Sequence, residues 1–447
     1  MRERLQKSLD FLVAEYVANN PRSQAMCDRA KKSLPGSNSR SGLYFHPFPP
    51  YISHGEGVHL IDLDGHDLLD FVNQATALIL GHAHPEVVRA LQERVAKGTA
   101  FSRPTALEVE MAELLMERVP SLERVRFCSS GTEAVMNAIR SAKGFTGKPK
   151  IAKFEGAYHG TSEFALVSYS PPLSDALGPP ERPNSVLSSA GLTESTADGV
   201  IVLPFNDAEA CEQIINEHAD QLAAVIVDPL STGAGFTLPE NGFLAKLREM
   251  TIRADVLLIF DEIISFRSAR GGAQETYNIQ PDLTCLAKVI AGGVPGAAFG
   301  GRADILALYD PTTAGPKIHH AGTYNANPLA MVAGLTTLRI MTPDAYDQIA
   351  GLTRRLAKKL KAVFDEVGVE AQVSTAGSLF KVHFMPHAPS NYREAAQNDG
   401  LMHNWLFFAL LNQGIHWREG GNVSLPMDDS HVDRLVSAVA NAFHQLY

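Results

Sequence analysis

Short apolar segments alternate with helical stretches through most of this chain of 447 residues. Apolar runs of this kind, bounded by polar or turn-forming residues, are typical of buried strands. We predict strands at 60–63, 125–127, 151–154, 200–203, 224–227, 256–260 and 297–299. Because strands that alternate with helices form a mostly parallel sheet covered by helices, the expected fold class is α/β.

The pattern changes near residue 331, where long helices are expected at 345–367 and 403–412 around a strand at 378–382. We therefore expect an N-terminal segment at 1–60 that packs with the small domain, a large domain at 61–330, and a smaller α+β C-terminal domain at 331–447. The segment 169–199 is rich in Ser, Pro and Gly and is predicted to be a long loop bordering a site.

Composition excludes several classes of function. A formal net charge of -10 without a basic patch argues against nucleic acid as a partner, because phosphate backbones require clustered Lys and Arg. The charged start of the chain and the lack of a long apolar run predict a cytoplasmic protein without membrane association. The four cysteines lack Cys-x-x-Cys spacing, so no metal site is expected and buried, reduced thiols are predicted. They are Cys27, Cys128, Cys211 and Cys285.

Two residues at strand ends suggest a chemistry. Asp261 ends the apolar run 256–260, and Lys288 lies just past a later strand-like segment. Taken singly, they are more ordinary as a solvated strand exit and a surface lysine. Together they are what a pyridoxal 5'-phosphate (PLP) enzyme needs: an amine that can form an imine, and a carboxylate that keeps the ring nitrogen protonated. Desolvation of Lys288 would help by lowering its pKa.

A third feature lies between the strand at 125–128 and a helix predicted at 133–145. Ser130, Gly131 and Thr132 form a turn there, and the N-terminus of a helix presents free N–H groups and a partial positive charge. These residues could hold a phosphate. The alternative is an ordinary capping box, with Ser130 as N-cap and Glu133 three residues later.

With these residues assembled, the chain resembles the class III aminotransferases of PLP fold type I, including their glutamate-1-semialdehyde aminomutase branch. The resemblance depends on the order and spacing of motifs across most of the chain. These motifs are Gly81-His82-Ala83-His84-Pro85, Ser129-Ser130-Gly131-Thr132-Glu133-Ala134, Tyr158-His159-Gly160, Phe260-Asp261-Glu262, Leu286-Ala287-Lys288, Gly292-Gly293, Phe299-Gly300-Gly301 and Ala321-Gly322-Thr323-Tyr324.

The resemblance implies roles for the matching residues and makes 61–330 the PLP-binding domain. Lys288 matches the Schiff-base lysine, and Asp261 matches the residue that pairs with the pyridinium nitrogen. Tyr158 matches the aromatic residue that covers one face of the ring, although without the family it could equally be a core aromatic. Ser130, Gly131 and Thr132 match the phosphate cup.

The resemblance also bears on assembly and on one departure from the family pattern. Thr323 matches a residue that reaches the phosphate of the neighbouring subunit's cofactor, which implies a homodimer with shared active sites; by itself it would be a turn residue before a helix. Many family members carry Glu-Pro where this chain has Asp228-Pro229. Since aspartate is one methylene shorter, we do not transfer the role of that glutamate.

Two arginines are candidates for binding a substrate carboxylate, because the planar guanidinium matches the two oxygens of that group. Arg40 ends an Asn-Ser-Arg sequence that resembles the aminotransferases acting on β-amino acids, whereas the comparable arginine of the semialdehyde aminomutases falls a few residues later. Arg418 lies in a region where the β-amino acid aminotransferases are similar and use an arginine. Each could instead be a solvated surface arginine.

The sequence therefore predicts a PLP-dependent aminotransferase that moves an amino group between a carboxylate-bearing amine, with a β-amino acid as one candidate, and a 2-keto acid. The alternative is glutamate-1-semialdehyde 2,1-aminomutase, which would use the same lysine but keep the amino group on one carbon skeleton. A more remote alternative is a PLP-fold binding protein that has lost catalysis.

Overall fold

The computed structural model describes residues 2–312 and 315–446. The strands, in chain order, are β1 (Ile52–Glu56), β2 (His59–Asp62), β3 (Asp67–Asp70), β4 (Arg124–Cys128), β5 (Lys150–Phe154), β6 (Val200–Leu203), β7 (Leu222–Val227), β8 (Leu257–Asp261), β9 (Leu283–Ala287), β10 (Ala297–Gly301), β11 (Gln372–Ala376), β12 (Leu379–His383), β13 (Ile415–His416) and β14 (Gly420–Asn422).

The α-helices are α1 (Arg2–Asn19), α2 (Pro21–Ala30), α3 (Asn73–Thr76), α4 (Pro85–Val95), α5 (Ala106–Arg118), α6 (Gly131–Thr146), α7 (Glu163–Leu166), α8 (Glu194–Asp198), α9 (Ala208–His218), α10 (Phe243–Arg253), α11 (Ala273–Tyr277), α12 (Ala303–Leu306), α13 (Pro328–Ile340), α14 (Pro343–Glu366), α15 (Tyr392–Ala395), α16 (Gly400–Leu411) and α17 (Asp429–Leu446). The predicted strands and long helices correspond to elements observed here. The segment 169–199, predicted to be a loop, is irregular apart from α8 and a 3-10 turn at Asp175–Leu177.

The chain forms two compact units. Unit 1 consists of residues 2–85, 347–387 and 398–446, and unit 2 consists of residues 86–346 and 388–397. The short segment 388–397 thus belongs to unit 2, although the chain on both sides of it belongs to unit 1.

These units are bounded differently from the domains expected from the sequence. Residues 61–85 belong to unit 1, because β2 and β3 pair with β1 and β13 in one sheet. Residues 331–346 belong to unit 2, where Arg118 at the end of α5 donates a hydrogen bond of 3.0 Å to the carbonyl of Met341.

Unit 2 is built on a seven-stranded sheet with the order β4-β10-β9-β8-β7-β5-β6. Among the described strands of this sheet, β10 runs opposite to the other six, which share one direction, so the sheet is mostly parallel as predicted. Because parallel strands share one carboxyl edge, the residues that follow β4, β5, β7, β8 and β9 all lie along that edge.

β7 has apolar side chains on both of its faces, which explains why it lies in the interior of the sheet of unit 2. Ala224 and Ile226 of β7 belong to one buried cluster, which α6 covers, and Val225 and Val227 belong to another, which α9 and α10 cover. Successive residues of a strand point to opposite faces, so both faces of the sheet are buried under helices.

Unit 1 contains two smaller sheets, with the orders β1-β2-β3-β13 and β11-β12-β14. Its N-terminal helix α1 packs on α16: the indole nitrogen of Trp405 donates a hydrogen bond of 3.0 Å to the Ser8 hydroxyl, and the rings of Tyr16 and Phe408 are 5.6 Å apart.

None of the described helices has the length and apolar character needed to cross a bilayer. All four cysteines are buried and free, in agreement with the prediction of buried thiols.

Candidate active site

Lys288 lies immediately after β9, at the carboxyl edge of the sheet of unit 2. Its backbone has a φ of 53°, a left-handed conformation that is uncommon outside glycine and that clusters at functional sites. Burial lowers the pKa of the Lys288 amine to about 8, against the opposing effect of Asp261 and Asp228. The amine is therefore much easier to deprotonate than an ordinary lysine, as the predicted role requires.

Asp261 is the last residue of β8, the strand next to β9, and its side chain is buried. One carboxylate oxygen accepts a hydrogen bond of 3.2 Å from the backbone N–H of Ile263. The other lies 2.7 Å from Nδ1 of His159, which is also buried. Since a carboxylate accepts, the bond assigns the proton to Nδ1 of this histidine.

His159 is a site residue to which sequence reasoning assigned no role. It stands between Tyr158 and Gly160 in a motif that was recognised only for its tyrosine. Its Nε2 is buried and has no hydrogen-bond partner among the described residues. The one sequence feature that pointed to His159 was its position next to Tyr158, the predicted ring-covering residue. Its contact with Asp261 could not be predicted, because the two residues are far apart in the sequence.

Asp228 follows β7 at the same edge and organises its own turn. It accepts hydrogen bonds from the backbone N–H groups of Leu230 at 3.1 Å and Thr232 at 2.7 Å, and from the Thr232 hydroxyl. Burial, with an added contribution from the charge of Asp261, raises the pKa of Asp228. Through these hydrogen bonds, the side chain of Asp228 stabilises the turn at residues 228–232.

The N-terminus of α6 carries the predicted phosphate-binding residues and also forms the capping box considered as the alternative. The Ser130 hydroxyl accepts a hydrogen bond of 3.3 Å from the Glu133 N–H, and the Glu133 carboxylate accepts one of 2.9 Å from the Ser130 N–H. A hydroxyl that accepts this capping bond can still donate its own proton, so capping the helix and binding a phosphate are compatible roles for Ser130.

Two glycines allow close packing around this helix start. A Cβ atom on Gly131 would lie 2.7 Å from the Cδ1 atom of Ile263, and one on Gly160 would lie 2.6 Å from the Thr132 hydroxyl. Gly160 also has a φ of 91°, which disfavours any other residue. The backbone of the Tyr158-His159-Gly160 motif therefore approaches α6 closely, and the Thr161 N–H donates a hydrogen bond of 3.3 Å to the Thr132 hydroxyl.

Tyr158 lies on the surface of unit 2, with 41% of its area exposed. Its ring is 5.1 Å from that of Tyr169, and a Cβ atom on Gly233 would lie 2.6 Å from the Cβ of Tyr158. The alternative of a core aromatic is therefore excluded.

The remaining candidates are all exposed. Thr323 lines a cavity of about 580 Å³ in unit 2. Arg40 and Arg418 belong to unit 1. The Arg40 guanidinium lies 3.5 Å from the side-chain oxygen of Gln74, and that of Arg418 donates a hydrogen bond of 3.2 Å to the carbonyl of Gly42. The alternative of solvated arginines stays open for both.

This chain is similar to proteins of known class over nearly its whole length. Residues 45–423 match the family model of class-III aminotransferases. A glutamate-1-semialdehyde 2,1-aminomutase of Desulforudis audaxviator is 40% identical, over 94% of this chain and 97% of the relative.

Two solved structures share the fold. An omega-transaminase from Sphaerobacter thermophilus has a TM-score of 0.90 and 42% identity, over 95% of this chain and 97% of the other. A beta-phenylalanine aminotransferase from Variovorax paradoxus has a TM-score of 0.88 and 36% identity, over 98% and 97%.

The chain belongs to the class-III aminotransferase family. The predicted enzyme class and the α/β architecture of PLP fold type I are thereby confirmed. By sequence, the aminomutase relatives support the alternative function better than the primary prediction.

Proposed function

We propose that this protein is a PLP-dependent enzyme that moves the amino group of a carboxylate-bearing amine, and that it acts first of all as an aminotransferase with a 2-keto acid as acceptor. The observation that carries the proposal is the pair formed by Lys288 and Asp261. Asp261 ends β8 and Lys288 directly follows the neighbouring parallel strand β9, and burial lowers the pKa of the Lys288 amine to about 8.

The residues present fit pyridoxal 5'-phosphate. Lys288 would hold it covalently, Asp261 would face its ring nitrogen, Tyr158 would cover one face of its ring, and the start of α6 would hold its phosphate. Because Gly131 and Gly160 have no Cβ, the Ile263 side chain and the Thr132 hydroxyl pack closely at that helix start. When bound, the cofactor supplies an electron sink for the substrate carbon that carries nitrogen.

The protein's own groups would then carry out the proton chemistry. The Lys288 amine, when not bound to the cofactor, would remove the proton from the substrate carbon that bears nitrogen and would deliver it to the cofactor carbon joined to that nitrogen. Its lowered pKa makes the neutral, basic form accessible near neutral pH. The negative charge of Asp261 favours the protonated ring nitrogen, and the hydrogen bond from His159 fixes the orientation of this carboxylate.

Substrate recognition in this proposal depends on Arg40 and Arg418, which would bind carboxylates of the donor or acceptor. The Asn-Ser-Arg arrangement at Arg40 and the similarity to the beta-phenylalanine aminotransferase structure support a β-amino acid as donor. We also propose a cytoplasmic homodimer with shared sites, in which Thr323 of each subunit reaches the cofactor phosphate of the other.

A second candidate is glutamate-1-semialdehyde 2,1-aminomutase, and the curated sequence relatives favour it. Incubation with the semialdehyde and no amino donor separates the two functions. Steady formation of 5-aminolevulinate would establish the aminomutase. Transfer from β- and ω-amino acids to 2-oxoglutarate or pyruvate, without that isomerisation, would establish the aminotransferase.

Borohydride reduction followed by peptide mapping tests the site itself. The proposal requires the label on the peptide containing Lys288 and its loss in Lys288→Ala. Label on another lysine would refute the assignment, and a purified protein that takes up no PLP would support the non-catalytic alternative.

A further inference from the structure

Lys153 is a buried lysine in β5 with no role in the chemistry proposed above. Its side chain is fully buried, and its Nζ donates hydrogen bonds to the backbone carbonyls of Ala157 at 2.9 Å, Ala165 at 2.9 Å and Val167 at 2.6 Å. Three accepting carbonyls match the three N–H groups of an ammonium. Burying such a group without hydrogen bonds is costly, and these three bonds satisfy it. They also tie the segment that supplies the carbonyls to β5.

That segment, residues 157–167, carries candidate site residues. Tyr158 directly follows one of the three carbonyls, and His159 holds the carboxylate of Asp261 at 2.7 Å. The Thr161 N–H bonds to the Thr132 hydroxyl at the start of α6. A single amine therefore fixes both ends of the segment that reaches the site.

The segment has little regular structure of its own to fix it. Within it, the described secondary structure is the four-residue helix α7 and an isolated antiparallel bridge from Val167 to Leu187, and the stretch of residues 157–160 around the motif is irregular. A short irregular segment is ordered by what it bonds to, and the Lys153 ammonium provides three of those bonds from β5, a strand paired on both sides by β6 and β7.

We propose that Lys153 is a positioning residue: its ammonium group holds the 157–167 segment so that Tyr158 and His159 face the cofactor pocket. Its significance for the cofactor rests on the proposed function, whereas its effect on the segment does not. Because its side chain is fully buried, Lys153 acts through the backbone and contacts no substrate.

The test compares Lys153→Met with Lys150→Met in the full-length protein. Both substitutions remove an amine from β5, but Lys150 is only partly buried. Three measurements apply: amide hydrogen exchange across 157–167, the dissociation constant of PLP, and the pH midpoint of the absorbance change of bound PLP. A role limited to overall stability would leave that midpoint unchanged.

For Lys153→Met we expect exchange in 157–167 to accelerate and PLP affinity to fall, each by about tenfold or more, as for the loss of hydrogen bonds to a charged donor. We also expect a shifted pH midpoint, because His159 would no longer hold Asp261. Lys150→Met should match the wild type in all three.

Unchanged exchange and unchanged PLP affinity in a folded Lys153→Met protein would overturn the inference. If that variant does not fold, Lys153→Gln, which retains two N–H donors, undergoes the same measurements with the same criterion. A wild-type protein that takes up no PLP would instead refute the proposed function, while the exchange comparison would still decide the role of Lys153.

Discussion

At the scale of single residues, the site is defined by how its charged groups are buried. Asp261 is withdrawn from water but receives hydrogen bonds from His159 and from a backbone N–H, which satisfies the carboxylate and fixes its direction. Lys288 is partly buried and lies close enough to Asp261 and Asp228 for both charges to act on its pKa. Groups whose pKa is shifted by burial and by a specific neighbouring charge are the expected candidates for a catalytic amine and its partner carboxylate.

The charge of Asp261 can be tested without changing its size. Asp261→Asn should lower turnover by roughly 100-fold or more, because the cofactor's ring nitrogen would lose the negative charge that favours its protonated form. Turnover with any active donor and PLP retention on gel filtration measure the effect. A variant within about threefold of the wild type would be incompatible with a charge-dependent role.

The pKa of Lys288 gives a pH prediction for the protein freed of cofactor. The neutral amine captures the aldehyde, so the rate of PLP capture should rise as the pH increases through about 8 and then level off. Stopped-flow absorbance between pH 6 and pH 10.5 measures this rate, with N-acetyl-lysine as the reference amine. A rate that climbs in parallel with the reference amine would contradict a lowered pKa.

At the scale of elements, the loops that follow the strands of unit 2 are held by contacts from distant parts of the chain. The segment 388–397 carries Arg393, whose guanidinium forms a two-bond ion pair with Glu155, at 2.9 and 3.0 Å. It also donates hydrogen bonds to the carbonyls of Leu177 at 3.0 Å and Gly178 at 2.8 Å. One arginine thus anchors part of the long 169–199 loop to the end of β5.

Removing this anchor should release the loop. Arg393→Met leaves the mostly buried Glu155 carboxylate unpaired, and we expect a loss of roughly 3–5 kcal/mol in local stability together with faster proteolysis within 169–199. Limited proteolysis with mass spectrometry locates the cuts. Arg182→Met is the matched control, since its pair with Glu217 is exposed and should contribute about 0–1 kcal/mol. Equal cleavage in both variants would show that Arg393 does not anchor the loop.

At the scale of the whole molecule, acid stability should depend on two histidines buried in unit 1. Burial lowers the pKa of His383 to about 3 and that of His403 to about 4. The unfolded chain binds these protons near pH 6.5, before the folded chain does. The stability present above pH 6.5 is therefore progressively lost as the pH falls toward 4.

The expected slope is about 1.4 kcal/mol per pH unit for each histidine between pH 6 and pH 5. Denaturant unfolding followed by tryptophan fluorescence measures it for unit 1, because both tryptophans, Trp405 and Trp417, lie there. His403→Phe should reduce the slope by the contribution of one histidine, about 1.4 kcal/mol per pH unit. His54→Phe changes an exposed histidine and should leave the slope unchanged. Equal slopes in the two variants would contradict the prediction.

The sequence by itself determined the α/β class, the family and the positions of Lys288 and Asp261. Those features follow from local patterns: apolar runs mark buried strands, and the residues that end them stand at fixed places in short motifs. The start of α6 was likewise readable, including its capping box, because capping involves residues three positions apart.

Only the tertiary structure decided which distant groups meet. His159 forms a hydrogen bond with Asp261, and Lys153 forms hydrogen bonds with the backbone of the segment 157–167. Arg393 forms an ion pair with Glu155, which is more than half of the chain away in the sequence. It also assigned 61–85 and 331–346 to their units. Such contacts depend on strand order and on the packing of loops, which sequence spacing does not encode.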